Sequence, residues 1–133
     1  MNGNIDNELV IFIATASHTR FVQEAIALDA EKVVVSVKHW WELDINPEFV
    51  RIEQYLDAEL IDGCAISWRL EVTTSDSGHQ IEADVRKIIS NSYDMIAEIA
   101  ETSVVSVEQC MSAVKKTLDE LFSTDWRACG ECD

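Results

Sequence analysis

The sequence predicts one α/β domain in which helices pack on a mixed sheet of three to four strands, in the order β-α-β-α-β-β-α-α. Its 133 residues are 47% apolar and 26% charged, a composition typical of one globular domain. In the first half, apolar β-rich runs alternate with amphipathic segments, which favours crossover connections and partly parallel strands. Two long segments with helical periodicity close the chain. We expect the domain to span residues 1–125 and residues 126–133 to form a tail.

The first half of the chain supplies two predicted strands and two predicted helices. Residues 8–16, ELVIFIATA, form an unbroken apolar run, as in a central strand buried on both faces. We expect a helix over residues 20–29, although this segment could instead be a strand in a hairpin, which would make the class α+β. Residues 32–43 predict the second strand. Residues 46–63 predict a helix, because a proline stands in its first turn and a glycine follows its end.

The second half begins with the clearest strand of the sequence. In residues 64–74, CAISWRLEVTT, apolar and polar residues alternate, so that one side of the strand is apolar. SDSG predicts a turn, and residues 79–85 predict a short antiparallel strand that returns from it. Apolar residues at helical spacing then predict helices over residues 84–101 and 107–122, the second with a capping box formed by Ser106 and Gln109.

The charge of the chain restricts its partners. Twenty-five acidic against ten basic residues give a net charge of −15, which opposes direct binding to nucleic acid or to an anionic membrane. It favours solubility and a basic protein surface as partner. The apolar runs are shorter than the roughly 20 residues that a membrane-spanning helix needs. The N-terminus lacks the basic-then-apolar pattern of a signal peptide, so we expect a cytoplasmic protein with reduced cysteines.

An acidic, tryptophan-bearing segment is the main candidate for protein binding. Its carboxylates would repel one another at helical spacing without a structural reason, although they could also form an ordinary solvated face. On a strand, Trp40 and Trp41 point to opposite faces, and Trp40 is expected to be the more exposed because it alternates with Lys38 and Ser36. We therefore expect an inhibitor, an immunity-like protein or an adaptor rather than an enzyme. The candidate binding residues are Trp40, Glu48, Glu53, Asp57 and Glu59.

The alternative is a small-molecule-binding protein or a small enzyme. In open α/β sheets, ligands bind beyond the carboxyl ends of the strands, which here is the loop after the first predicted strand. That loop would bring together Thr15, Ser17, His18 and Arg20. It contains no glycine and therefore matches no phosphate-binding loop, and the sequence predicts no cofactor. An apolar pocket with converging polar groups would favour this alternative, whereas regularly spaced exposed carboxylates would favour protein binding.

The C-terminal WRACGECD holds Cys129 and Cys132 in C-x-x-C spacing. A zinc site needs four ligands, and no second pair is present. A redox pair needs a following helix to lower the thiol pKa, and only Asp133 follows. We therefore expect a tail without metal. Two alternatives stay open, a metal ion shared between the subunits of an oligomer and, separately, a homodimer.

Overall fold

The protein is a two-layer α+β domain. The computed structural model describes residues 6–90 and 92–126. For Ser103 it describes the backbone alone. Five strands form one antiparallel sheet in which each strand pairs with its neighbour in sequence. The predicted three- to four-stranded mixed sheet and its β-α-β-α order are therefore wrong. The elements are α1 (Asn7–Glu31), β1 (Val34–Ile45), β2 (Phe49–Leu60), β3 (Ala65–Ser75), β4 (Gly78–Ile89), β5 (Ser92–Val104) and α2 (Val107–Ser123).

The predicted strand over residues 8–16 is part of helix α1. This helix begins after Asp6, whose carboxylate accepts a hydrogen bond from the Leu9 N–H at 3.0 Å, and it ends at Lys32 in the left-handed region. An unbroken apolar run shows no periodicity, so it fits a buried strand and a helix equally well. The segment 20–29, for which we expected a helix or a strand, continues the same helix.

The predicted helix over residues 46–63 is a hairpin turn followed by β2. The Asn46 side chain does not cap a helix: its Oδ1 accepts hydrogen bonds from the N–H groups of Glu48 (2.8 Å) and Phe49 (3.1 Å) and closes the turn. In β2 every second side chain is buried against the helices. These side chains are Val50, Ile52, Gln54, Leu56, Ala58 and Leu60.

The predicted helix over residues 84–101 is the end of β4 and most of β5. The two strands form a hairpin, and Ser90 in its turn adopts a left-handed conformation with φ 55°. A register shift between Val85 and Arg86 interrupts the alternation of side chains. The apolar residues around such a shift are spaced by three and four positions, which imitates a helix in the sequence.

The predictions for β3, the following hairpin and α2 are confirmed. In β3 the side chains of Ile66, Trp68, Leu70 and Val72 are buried, as the alternation indicated. At the start of α2, the Gln109 N–H donates to Ser106 Oγ (3.0 Å), and the Ser106 N–H donates to Gln109 Oε1 (3.3 Å). This is the predicted capping box. α2 buries Cys110, Val114, Thr117, Leu118 and Leu121.

Both helices pack on the same face of the sheet and leave the other face open. α1 covers β1 and β2, while α2 covers β4 and β5. Phe122 joins the two halves of the core, because its ring meets Phe21 edge-on at 4.9 Å and lies 6.2 Å from Trp68. Neither helix of the described chain combines the length and the apolar character that membrane crossing requires.

Cys64, Cys110 and Trp126 test two expectations, that the cysteines are reduced and that the chain from residue 126 is a tail. Cys64 is buried and takes part in a disulfide, which corrects the expectation that every cysteine is reduced. Cys110 is a free thiol, and burial raises its pKa to about 11. Trp126, the first residue of the predicted tail, lies edge-on against Trp68 at 6.2 Å. Cys129 and Cys132 lie outside the described residues.

Candidate interaction face

Four glutamates occupy directly opposite positions across four neighbouring strands on the open face of the sheet. Glu42 of β1 faces Glu53 of β2, Glu53 faces Glu71 of β3, and Glu71 faces Glu82 of β4. Neighbouring strands lie roughly 4.8 Å apart, so the glutamate row repeats a carboxylate at about that interval. Like charges directly opposite one another destabilise a sheet.

Proton affinities in the glutamate row reflect this crowding. Hydrogen bonding to Glu53 and repulsion by it raise the pKa of Glu42. For Glu71, burial is the largest cause, followed by hydrogen bonding to Glu53, and together they raise its pKa although Arg69 and Arg51 act in the opposite direction. A hydrogen bond between two carboxyl groups needs a proton on one of them. The contacts with Glu53 therefore favour the protonated forms of Glu42 and Glu71.

A second row, made of aromatic and charged residues, runs beside the glutamates. Its members lie two residues away from the glutamates on each strand. The rings of Trp40 and Tyr55 stack at 5.0 Å with an interplanar angle of 8°. Burial and a hydrogen bond with Glu53 raise the pKa of Tyr55 to about 12. Asp84 accepts hydrogen bonds from Arg69 Nε at 3.0 Å and from Arg86 Nε at 3.1 Å. The open face thus combines acidic groups with a flat aromatic pair.

The predicted protein-binding residues mostly share this open face. Trp40, Glu53 and Asp57 lie on it, and Asp57 faces Lys38 across the β1–β2 pair. Glu59 follows on the same side near the end of β2 and is exposed. Glu48 does not join them, because it lies in the turn that precedes β2.

Trp40 and Trp41 point to opposite faces of β1, as predicted, but the order of their exposure is reversed. Trp40 is half-buried between the Tyr55 ring and Lys38, whose Nζ lies 5.4 Å from the centre of the indole. Trp41 is 46% exposed on the helix side, at the border of the sheet. The reason is that β1 is an edge strand, so α1 covers only part of its helix-facing side.

The residues of the alternative ligand site do not converge. All four lie within α1, where the sequence predicted a strand followed by a loop. Ser17 is buried, and its Oγ donates to the Ile13 carbonyl at 2.6 Å. Arg20 points toward α2, where its Nη1 lies 2.6 Å from Asp119 Oδ1. Thr15 and His18 instead line an open depression of about 300 Å³ beside Trp41.

Metal-binding geometry is not found among the described residues. Within residues 6–90 and 92–126, no group of three or more histidine, cysteine or acidic side chains is placed to hold an ion. Although the glutamate row is dense in charge, its members face one another in line across the strands instead of surrounding one point.

Sequence reasoning singled out Glu53 but missed Tyr55, Glu71 and Glu82 as parts of the same surface. Each is an ordinary polar residue of an alternating strand, and only the pairing register brings them together. The opposing positions follow from the lengths of the hairpin turns, which a correct strand assignment would have exposed. No family model, curated protein or solved structure matches the chain.

Proposed function

We propose that this chain is a protein-interaction module, an inhibitor, an immunity-like protein or an adaptor, whose open sheet face binds a basic protein surface. The observation that supports this most is the glutamate row, which sets like charges directly opposite one another. In the isolated fold this arrangement costs stability. Lysine and arginine side chains of a partner would relieve the repulsion if they were spaced at the same interval as the carboxylates.

The aromatic pair supplies the second part of the proposal. Trp40 and Tyr55 stack beside the row and are only half-buried. Large aromatic side chains are frequent anchors of interfaces, because they bury much area for little loss of conformational entropy. An arginine can also lie over an indole face. The carboxylates would accelerate association, and the aromatic pair would slow dissociation.

The alternative, a small-molecule-binding protein or a small enzyme, was predicted from a different local structure. It depended on a loop after a first strand, and helix α1 occupies that segment. Two observations that bear on the location of the protein point to different compartments. The sequence predicted a cytoplasmic protein, whereas a disulfide at Cys64 is typical of an oxidising compartment.

The test compares two triple variants in capture from the native host, followed by binding kinetics at low and high salt. The first variant, Glu42→Gln with Glu53→Gln and Glu82→Gln, neutralises three members of the row and leaves Glu71 with its arginines. The control changes three exposed acids of the helices by the same total charge. These are Glu8→Gln, Asp29→Asn and Glu108→Gln.

We expect a basic partner that binds the wild type and the control alike but associates at least about tenfold more slowly with the row variant. Its association rate should fall steeply with salt, because exposed charges are screened beyond about 10 Å at 0.1 M ionic strength. Equal effects of the two triple variants would show that only net charge matters. An association rate indifferent to salt and to the row would contradict the proposal.

A further inference from the structure

β1 forms one edge of the sheet and is long enough to pair with another strand. It is 12 residues long and hydrogen-bonds to β2 on one side, while among the described strands none pairs with its other side. Such an edge leaves a row of backbone N–H and C=O groups without strand partners. Natural sheets usually keep edge strands short or interrupt them. The regular stretch of β1 from Ser36 to Asp44 carries no register shift.

Apolar side chains line this edge on the helix side. Trp41 is 46% exposed, Leu43 43% and Ile45 68%. The surface continues onto α1, because the ring of His18 lies 6.5 Å from that of Trp41, and Ile11, two helical turns earlier on the same side, is 64% exposed. The apolar run of α1, which resembles a strand in the sequence, thus keeps an apolar side chain exposed beside Trp41. A helix that is apolar all round is normally buried.

The edge is complementary to itself. Consider an antiparallel pair of two β1 strands in which Trp40 lies opposite Trp40. Residues equally far from Trp40, one before it and one after it, then face each other. Lys38 then faces Glu42 of the second copy, twice by symmetry, so opposite charges meet. Val37 faces Leu43, and His39 faces Trp41, so apolar and aromatic groups meet. Residues that face each other in this pairing lie on the same face of the combined sheet, so the apolar side chains on the helix side of one copy meet those of the other.

We propose that the β1 edge is the interface of a homodimer, in which β1 pairs antiparallel with β1 of a second copy around a two-fold axis at Trp40. Two five-stranded sheets become one continuous sheet, an isologous arrangement. The two α1 helices lie side by side on its helix face, and they cover Trp41 and Ile11. The two glutamate rows lie on the same open face of the continuous sheet and are offset along the strands, since Glu42 faces Lys38 of the second copy. The dimer does not depend on the proposed basic partner.

The charge of the chain gives this interface a distinctive salt dependence. Each copy carries a net charge of −15, so the copies repel one another at long range. Salt screens this repulsion and strengthens apolar burial, so it should tighten the dimer. Binding of a basic partner to the open face should weaken with salt. The two associations are therefore distinguishable in a single salt series.

The experiment is a dilution series followed by sedimentation equilibrium, at low and high salt, on the full chain. Lys38→Glu sets two acidic pairs across the axis, and Glu42→Lys sets two basic pairs. Each should weaken the dimer about tenfold or more, and the double variant Lys38→Glu with Glu42→Lys should restore it, because the charges are exchanged. Asp44→Lys is the matched control, since Asp44 faces Ser36 and the charge change equals that of Glu42→Lys.

A further variant tests the interface independently of positions 38 and 42, in case changes there prevent folding. Leu43→Lys places a charge opposite Val37 of the second copy at an exposed site, and it should yield a folded monomer by circular dichroism. A wild-type chain that stays monomeric at high salt would overturn the proposal. So would single variants that dimerise like the wild type, or a double variant that fails to recover. An Asp44→Lys variant weaker than Glu42→Lys would overturn the axis at Trp40.

Discussion

Glu42 lies directly opposite Glu53 on the neighbouring antiparallel strand, with both side chains on the open face of the sheet. Hydrogen bonding between the two carboxyl groups raises the pKa of Glu42. An acid whose pKa is higher in the folded than in the unfolded chain stabilises the fold below its unfolded pKa. That stability is lost as the pH rises through the folded pKa. The pair is therefore a pH-dependent element at the border of the sheet.

At a protein concentration at which the chain is monomeric, Glu42→Gln should raise the melting temperature by about 1–3 °C near pH 7, because it removes one charge from the repelling pair. The difference should shrink as the pH falls from 7 to about 4, because Glu42, whose pKa is raised, takes up its proton within this range. Melting curves across this range measure it. Glu59→Gln is the matched control, because Glu59 faces Ser36 and Ala65 and therefore no other acid. A pH-independent gain, or an equal gain for Glu59→Gln, would refute this proton uptake by Glu42.

Asp84 should be the most sensitive acidic residue on the open face. Its side chain is 4% exposed and is held between Arg69 and Arg86. Asp84→Ala leaves two guanidinium groups without their shared acceptor, and we expect the free energy of unfolding to fall by about 2–4 kcal/mol. Glu82→Ala, on the same strand and face but exposed, should change it by about 0.5 kcal/mol or less. Urea denaturation measures both, and equal losses would show that Asp84 contributes no more than a surface charge.

Gly78 fixes the start of β4 through a close approach to the end of β5. Its φ is +133°, and a Cβ atom there would lie 3.0 Å from the carbonyl oxygen of Val104. Gly78→Ala should therefore destabilise the protein through both backbone strain and this contact, by about 1–3 kcal/mol. Gly63→Ala is the control for strain alone, since Gly63 has φ +97° and no neighbouring atom within 4 Å. Thermal melting should rank the variants wild type, Gly63→Ala, Gly78→Ala. If the two variants melt together, the Val104 contact is easily relaxed.

The sequence by itself determined the elements whose pattern has a single physical interpretation. β3 alternates strictly between apolar and polar residues, and α2 combines a helical apolar stripe with the capping box of Ser106 and Gln109. Both were predicted correctly. The acidic excess and the opposite directions of Trp40 and Trp41 could also be read directly, because charge is a sum over residues and side chains of a strand alternate.

Tertiary structure decided the rest, because the local patterns were ambiguous. The apolar run of α1 has no period, the register shift at Val85 and Arg86 makes two strands imitate a helix, and Asn46 serves a turn as readily as a helix cap. The candidate site depended on these choices. The glutamate row follows from the register of the hairpins, so it could not be found before the four strands and their turns were assigned correctly. Pairing between successive strands, which the ambiguous local patterns did not reveal, placed Glu42, Glu53, Glu71 and Glu82 on one line.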